Sequence, residues 1–498
     1  MGGWGPRSAS AAFVMLVLLG IGATARSAPD ARRVPAAPTI TIKKISGAVF
    51  VRAPDSTTFA SFSGSRRVAV GTEIEASNGR ISMTASSGQH GDFYQGRFVI
   101  LVSPSQPNVI ELDLSGGSFK DCRQSRALTS TQDPPPRRRL WGHAKGKFLT
   151  RGRYSVTSVR GTTWLTSDSC GGTVARVTTG TISVADLLRS KQVLLRRGRS
   201  YLSKAPTEYA VPTDGSDPTS IVTGPDGNLW FTESVGNIGR STPRGSIIDF
   251  PVPASDQSED GTSAPEVIVA GPDRNLWFTD PNSHSVDRIT TSGNITTFEV
   301  SGTPHGLTVG PDNNLWFTED NGMLGRITTA GAITEIPLAL EVPSDNNRLT
   351  TGADGNLWFI EPEANKIGRV SLRGDLAEFD IPTPDSSPAG ITRGPDGNVW
   401  FTELTGGRVG RITRSGTITE FLLPGEETGP DQITTGPDNN LWVTDSGASR
   451  IVRITPAGRI VAVPTPTDQS APTGITAGPR STIWFTESEG YSIGCARC

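Results

Sequence analysis

From residue 205 onward, one phrase of mixed apolar and polar positions keeps returning: Gly-Pro-Asp-x-Asn-Leu-Trp-Phe-Thr-Glu. Its tryptophans are Trp230, Trp277, Trp316, Trp358, Trp400, Trp442 and Trp484, spaced 47, 39, 42, 42, 42 and 42 residues apart. Each unit predicts four short strands. One leads into the turn, as "ITRG" at 391–394. "NLWFTE" alternates across the second, "NKIGRV" and its relatives form the third, and segments such as "ITEFLLP" at 418–424 form the fourth. The turn places Pro where φ is fixed and, next but one, a residue at positive φ. That place holds Gly227, Arg274, Asn313, Gly355, Gly397, Asn439 and, in the looser last unit, Ser481. Units of about forty-two residues have the period of propeller blades, and the absence of a helical period argues against a helical solenoid. The fourth-strand phrase also occurs ahead of the first unit, as "TEYAVP" at 207–212, while the last unit stops at "YSIGCARC". That offset predicts a seven-bladed ring over 205–498, its last blade closed by a strand from the opposite end so that no sheet edge is left unpaired.

Residues 31–203 carry no such repeat. Runs such as "RVAVGTEIEA", "GRISMTA", "RFVILVS", "GRYSVTSVRGTTWLTS" and "TVARVTTGTISV" alternate between Gly, Asn and Ser breaks, so the fold class is all-β throughout. "TQDPPPRRRLWGHAKGK" at 131–147 reads as an exposed loop, and His90 and His143 as turn residues. A length of 498 residues with 57 Gly and 37 Pro suits two domains rich in short strands. The net charge of −2 conceals a division: residues 31–203 hold about 26 Lys and Arg against about 10 Asp and Glu, whereas residues 205–498 hold about 18 against about 38. Two mutually suited surfaces account for this, and so does contact of the basic half with an anionic glycan, cell-wall polymer or membrane surface. Nucleic acid is not expected, because no aromatics interleave with the basic residues.

Residues 1–25 read as an export signal: Arg7, the apolar stretch "ASAAFVMLVLLGIGA", and small residues at Ala23-Thr24-Ala25. No other segment is long and apolar enough to span a bilayer, so a secreted or extracytoplasmic protein is expected, in the periplasm or at the cell surface. Of the three pairings open to four cysteines, Cys122–Cys170 and Cys495–Cys498 keep each bridge within one half.

Candidate chemistry lies where the repeat varies. Carboxylates follow the tryptophans by three residues: Glu233, Asp280, Glu319, Glu361, Glu403, Asp445 and Glu487. They make either a ring able to hold a cation or, with Arg240, Arg288, Arg326, Arg369, Arg411 and Arg453, ion pairs within six of the blades, Cys495 standing in the seventh arginine slot. Recurrence favours the second. Eleven residues before each Trp stand Thr219, Glu266, His305, Asn347, Ala389, Asp431 and Thr473. A propeller's first strand lines the axis, so these varied side chains are expected around one mouth of the channel, with His305 beside Glu266 and Asn347. His284 reads as a solvated loop residue. No Gly-x-Ser-x-Gly, Walker or His-Glu-x-x-His motif is present.

Two resemblances add to this reading. "VAVGTEIEA", "VRGTTWLTSDSCGGT" at 159–173 and "VLLRRGRSYLS" resemble a FecR-type domain over 45–203, which implies sensing, scaffolding or envelope contact. "GPDGNLWFTE", "NKIGRV", "ITEF" and "TPHGLTVG" resemble the virginiamycin B lyases over 205–498. That resemblance implies a Pro-His-Gly histidine, here His305, as the base that opens a cyclic depsipeptide ester by elimination. It also implies magnesium held by acids, with Glu319 or Asp320 in one ligand position. The acid that the family carries two residues before the histidine is Thr303 here, and its second histidine is replaced by Glu266. Glu266 then becomes the candidate to complete the magnesium set. Two functions stay open: a protein binding a small-molecule or peptide ligand, or an envelope component, at the channel mouth, and a lyase with His305 as general base.

Overall fold

The computed structural model describes residues 38–103, 106–120, 122, 137–254, 258, 261–338 and 348–498. The export-signal segment 1–25, Asn347 and residues 131–136 lie outside the described residues. Apart from one short 3-10 turn, the described secondary structure is almost entirely strand. Among the described residues no helix is long and apolar enough to cross a membrane.

Fifteen strands between Ile40 and Lys204 form one branched sheet. Its spine is a long hairpin, Arg138–Arg151 against Ser155–Ser169, running antiparallel from Arg138↔Asp168 to Arg151↔Val156. Alternate residues of the second strand are buried, and Trp164 sits in the core with its indole N–H donating to Thr150 at 2.9 Å. This corrects the loop expected at 131–147: from Arg138 onward it is a strand, since Leu140, Ala144 and Phe148 alternate into the core. His90 and His143 are likewise on strands, exposed, each bonded to a threonine hydroxyl.

The remaining strands form seven four-stranded sheets. First strands of consecutive blades neighbour one another, and that of the seventh returns to that of the first, so the ring is closed. All seven turn positions predicted at positive φ have it, Arg274 (64°) and Ser481 (62°) included. Each turn aspartate accepts the N–H of the following Asn and, in six blades, the indole N–H of its tryptophan, as Asp312 does from Trp316 at 2.9 Å. For the Asn bond the sixth blade is the exception, where Asn440 instead donates its side chain to the Asp438 carbonyl.

Closure follows the predicted offset. Thr207–Ala210 is the outer strand of the last blade, paired antiparallel with Ser492–Cys495 from Thr207↔Cys495 to Ala210↔Ser492. Both disulfides also form, Cys122–Cys170 with Cα atoms 5.2 Å apart and Cys495–Cys498 with 5.8 Å. The fifteen-stranded sheet meets the ring at the sixth and last blades. Buried Arg153 pairs with Asp468 at 2.8 Å beneath the Phe119 ring, and Tyr154, Leu188 and Ala205 share an apolar cluster with Trp442, Ile483, Phe485 and Ala496.

Candidate functional site

Most of the residues eleven before the tryptophans stand at a repeated distortion. In five blades the first strand bulges just after its proline, between Pro304 and Leu307 in the third blade and at the equivalent points in four others. A bulge re-aims a side chain. Threonine of the "LWFT" phrase holds it in place. Thr318 accepts the Gly306 N–H at 3.0 Å, and Thr279 accepts the Val267 N–H at 3.2 Å while donating to the carbonyl of His305 in the next blade at 2.9 Å. The same outward donation runs from Thr232 to Glu266, Thr402 to Asp431, Thr444 to Thr473 and Thr486 to Thr219. The recurring threonine thus ties each blade to the next at the backbone of the varied position. The fourth blade has Ile360 instead, and the Ala389 carbonyl is met by the side-chain amide of Gln432 at 3.3 Å. Thr279→Val, which keeps the shape and removes both bonds, is expected to cost about 1–3 kcal/mol in denaturant unfolding. A loss below about 0.5 kcal/mol means that the tie is not energetic.

His305 and Glu266 come together, Nδ1 to Oε2 at 3.0 Å, with side chains 14% and 23% exposed. The other Glu266 oxygen faces a guanidinium that the eleven-residue spacing missed by one position: Arg348, at 3.5 Å. Glu266 comes from the second blade, His305 from the third and Arg348 from the fourth, and the Arg348 charge also reaches Asp431 of the sixth. Burial opposes ionisation of Glu266, but the His305 bond and the Arg348 charge outweigh it and hold the carboxyl below its ordinary value. Burial pushes Asp431 up, with Arg348 and a bond from Gln432 pulling back. Ten residues before each tryptophan stand Ser220, Val267, Gly306, Arg348, Gly390, Gln432 and Gly474. Glycine suits that column because the neighbouring blade's backbone is close: a Cβ on Gly474 would lie 2.3 Å from the Thr219 carbonyl. An arginine, the one charged residue in a column that holds three glycines, is the signal that marks this position.

The repeated carboxylates do not pair with Arg240, Arg288, Arg326, Arg369, Arg411 or Arg453, which corrects the expectation of those intrablade ion pairs; in the sixth blade Asp445 pairs instead with Arg450, directly opposite it at the start of the third strand, at 2.6 Å. Trp and Arg oppose each other directly, as in Trp400↔Arg411, so they share a face; an odd offset of three puts the carboxylate on the other. The arginines instead lie over the tryptophans, Arg240 5.4 Å from the Trp230 ring centre, and approach the turn aspartates, as Arg288 does Asp273 at 3.9 Å. The carboxylates brace the loop ahead of the first strand. Asp280 accepts the Ala264 N–H at 3.0 Å, Glu319 that of Gly302 at 2.8 Å and Asp445 that of Gly429 at 2.7 Å.

For the suggested magnesium ligands, this geometry separates rather than gathers. Glu266 is committed to His305 and Arg348. Glu319, pushed up to about 7 chiefly by burial, holds the Gly302 backbone. Asp320 accepts the Thr303 N–H at 2.9 Å; despite burial, that bond and the His305 charge keep its carboxyl low. Among the described residues no three His, Cys, Asp or Glu side chains are grouped so as to hold a metal ion. The donor set as placed does not fit magnesium. Thr219 and Thr473 hydroxyls are spent on the neighbouring threonines Thr232 and Thr486. His284 is half-buried in a left-handed turn, its Nδ1 3.2 Å from the Gly302 carbonyl, rather than solvated.

The virginiamycin B lyase family model matches residues 185–344 and 339–497. Among solved structures, virginiamycin B lyase from Staphylococcus aureus is 36% identical, over 58% of this chain and 98% of that one, with a TM-score of 0.54. A streptogramin B lyase is 31% identical over 58% and 96%, with the same TM-score. A catalytically inactive histidine-to-alanine variant of the Staphylococcus aureus enzyme, with quinupristin, is 34% identical over 58% and 98%, at 0.54. No curated protein sequence matches the chain. The family match spans both halves of the propeller, and the chain belongs to the virginiamycin B lyase family.

Proposed function

We propose that the protein is an extracytoplasmic binding protein that captures a small, peptide-like ligand at the channel mouth. The observation that supports this best is the convergence of His305, Glu266 and Arg348 from three blades, with Asp431 facing Arg348 from a fourth. Together they offer donors and acceptors suited to amides and esters within a rigid ring. The export-like start, the two disulfides and the FecR-like phrases of 45–203 support an extracytoplasmic setting, in which the first β region meets the envelope.

A second reading has one specific support. Glu266 holds the Nδ1 edge of His305, as a carboxylate orients an imidazole that acts as a base. In that reading His305 takes the α-proton of a residue whose β carbon carries the ester oxygen, a proton activated by that residue's own carbonyl. The bond between the β carbon and the ester oxygen breaks, a double bond forms between the α and β carbons, the ester leaves as a carboxylate, and the proton stays on His305. No step is assigned to a metal.

Quinupristin is the probe for both. The full chain is titrated with it, with and without magnesium, and the mixture is then weighed for a linearised product. Saturable binding lost at least tenfold in His305→Ala, with no product, supports the binding protein. Product formation slowed about 10²–10⁴-fold in that variant supports the lyase. Binding and turnover both unchanged in His305→Ala overturn the site.

A further inference from the structure

A contact repeated at four seams of the ring is replaced at one other by a contact to the first β region, and a cleft lies there. Third-strand arginines donate to a backbone carbonyl in the next blade's turn between third and fourth strands. Arg240 reaches Thr291 at 2.8 Å, Arg288 reaches Thr329 at 3.1 Å, Arg369 reaches Arg414 at 2.7 Å and Arg411 reaches Pro456 at 3.3 Å. Arg453 of the sixth blade has no such turn ahead of it. The last blade's third strand ends at Cys495 and its fourth is Thr207–Ala210, so no loop joins the two. Arg453 meets the Ser190 hydroxyl instead, in the turn between Thr181–Asp186 and Lys191–Arg196 of the first β region.

The space between is about 450 Å³, lined from one side by Asp186, Lys191 and Gln192 and from the other by Arg453, Thr455 and Arg459. Three cations face one carboxylate, and that carboxylate is engaged elsewhere. Asp186 accepts the Arg189 N–H at 2.9 Å and the Tyr201 hydroxyl at 3.1 Å, and lies 3.7 Å from the Arg189 guanidinium. Asp438, behind Arg453, is shared: 3.9 Å from Arg453 and 3.2 Å from Arg497. Burial and the Arg497 and Arg459 charges press the Arg453 guanidinium below its ordinary value, with Asp438 opposing. The cleft therefore holds positive charge in excess, beside hydroxyl and amide donors.

We propose that this seam cleft is an oxyanion site, taking a phosphate or sulfate group either as the free ion or as an ester on a polymer, and that the bound anion joins the first β region to the sixth blade. Lys191 and Arg459 are exposed and supply the adjustable charge; Arg453 supplies the fixed one.

The test uses the full chain in chloride buffer at constant ionic strength, with inorganic phosphate in one arm and heparin in the other, read by calorimetry. The expected result is saturable one-to-one phosphate binding, weakened about tenfold or more in Lys191→Ala/Arg459→Ala. Binding of heparin alone, with the same sensitivity, assigns the group to a polymer and upholds the site. Phosphate and heparin binding unchanged in the double variant overturn it, as does the absence of saturable heat in both arms.

Discussion

Tyr209→Ala is expected to destabilise the propeller by about 3 kcal/mol, more than any other single surface-strand change, although Tyr209 lies outside the seven repeats. Its ring stacks on Trp484 of the last blade, 5.7 Å between centroids and 20° between planes. The same stack forms inside other blades, Trp230 on Phe250 and Trp400 on Phe421. Those phenylalanines also cover a glycine of the following blade. Tyr209 does so across the seam: a Cβ on Gly245, itself at φ 84°, would lie 1.8 Å from the tyrosine ring. Loss of the ring thus opens a gap between the last blade and the first and loosens the strand that covers the exposed edge of Ser492–Cys495. Urea unfolding of the variant, beside Val235→Ala as an exposed control, measures the effect. A midpoint for Tyr209→Ala that moves no further than the control's would falsify the reading of Thr207–Ala210 as an energetic clasp.

Stability is expected to fall as pH rises from about 5 to about 8, opposite to the usual behaviour of a carboxylate-rich protein. Burial, then Asp249, pushes Glu233 up to about 8, and burial, then Glu420, pushes Glu403 up to about 8; Glu319 and Asp287 rise to about 7. Among the described residues neither Glu403 oxygen has a hydrogen-bond partner. A raised carboxyl keeps its proton in the folded chain at pH values where the unfolded chain has lost it. The folded state then binds more protons, and its stability declines with pH until the folded value is passed. Glu266 and Asp320, held low, act in the opposite sense: their contribution is present above the ordinary carboxylate range and is lost as acid is added. A carboxyl that titrates one pH unit higher in the folded chain than in the unfolded one makes the folded state about 1.4 kcal/mol less stable above both values than below them. Thermal unfolding from pH 5 to 9 reads it, and Glu403→Gln flattens the slope by removing one contributor. A flat profile in the native chain, or a slope unaltered in Glu403→Gln, contradicts the assignment.

Much of this architecture is local enough to be read from one chain. A forty-two-residue period, an alternating strand, a Pro-Asp turn needing positive φ and a terminal strand phrase out of place each depend on residues near one another in sequence. They predict blades, turns and closure. The side of a strand that a residue faces is also local, since the side-chain period is two; the proposed pairing of carboxylates with arginines failed because that parity was not applied across the second and third strands. The bulge after Pro304 is not local. It exists because Thr279 and Thr318, from two blades, hold the backbone there. The meeting of Arg348 with Glu266, 82 residues away, is not local either, since it needs the second, third and fourth blades packed side by side. Arg453 shows the same division. Its place over Trp442 repeats a pattern written in six blades, but its partner Ser190 lies 263 residues away. A carboxylate, an arginine and a histidine in separate repeats acquire a common chemistry only when the packing of blades sets their distances, because Coulomb and hydrogen-bond energies depend on separation in space and not along the chain.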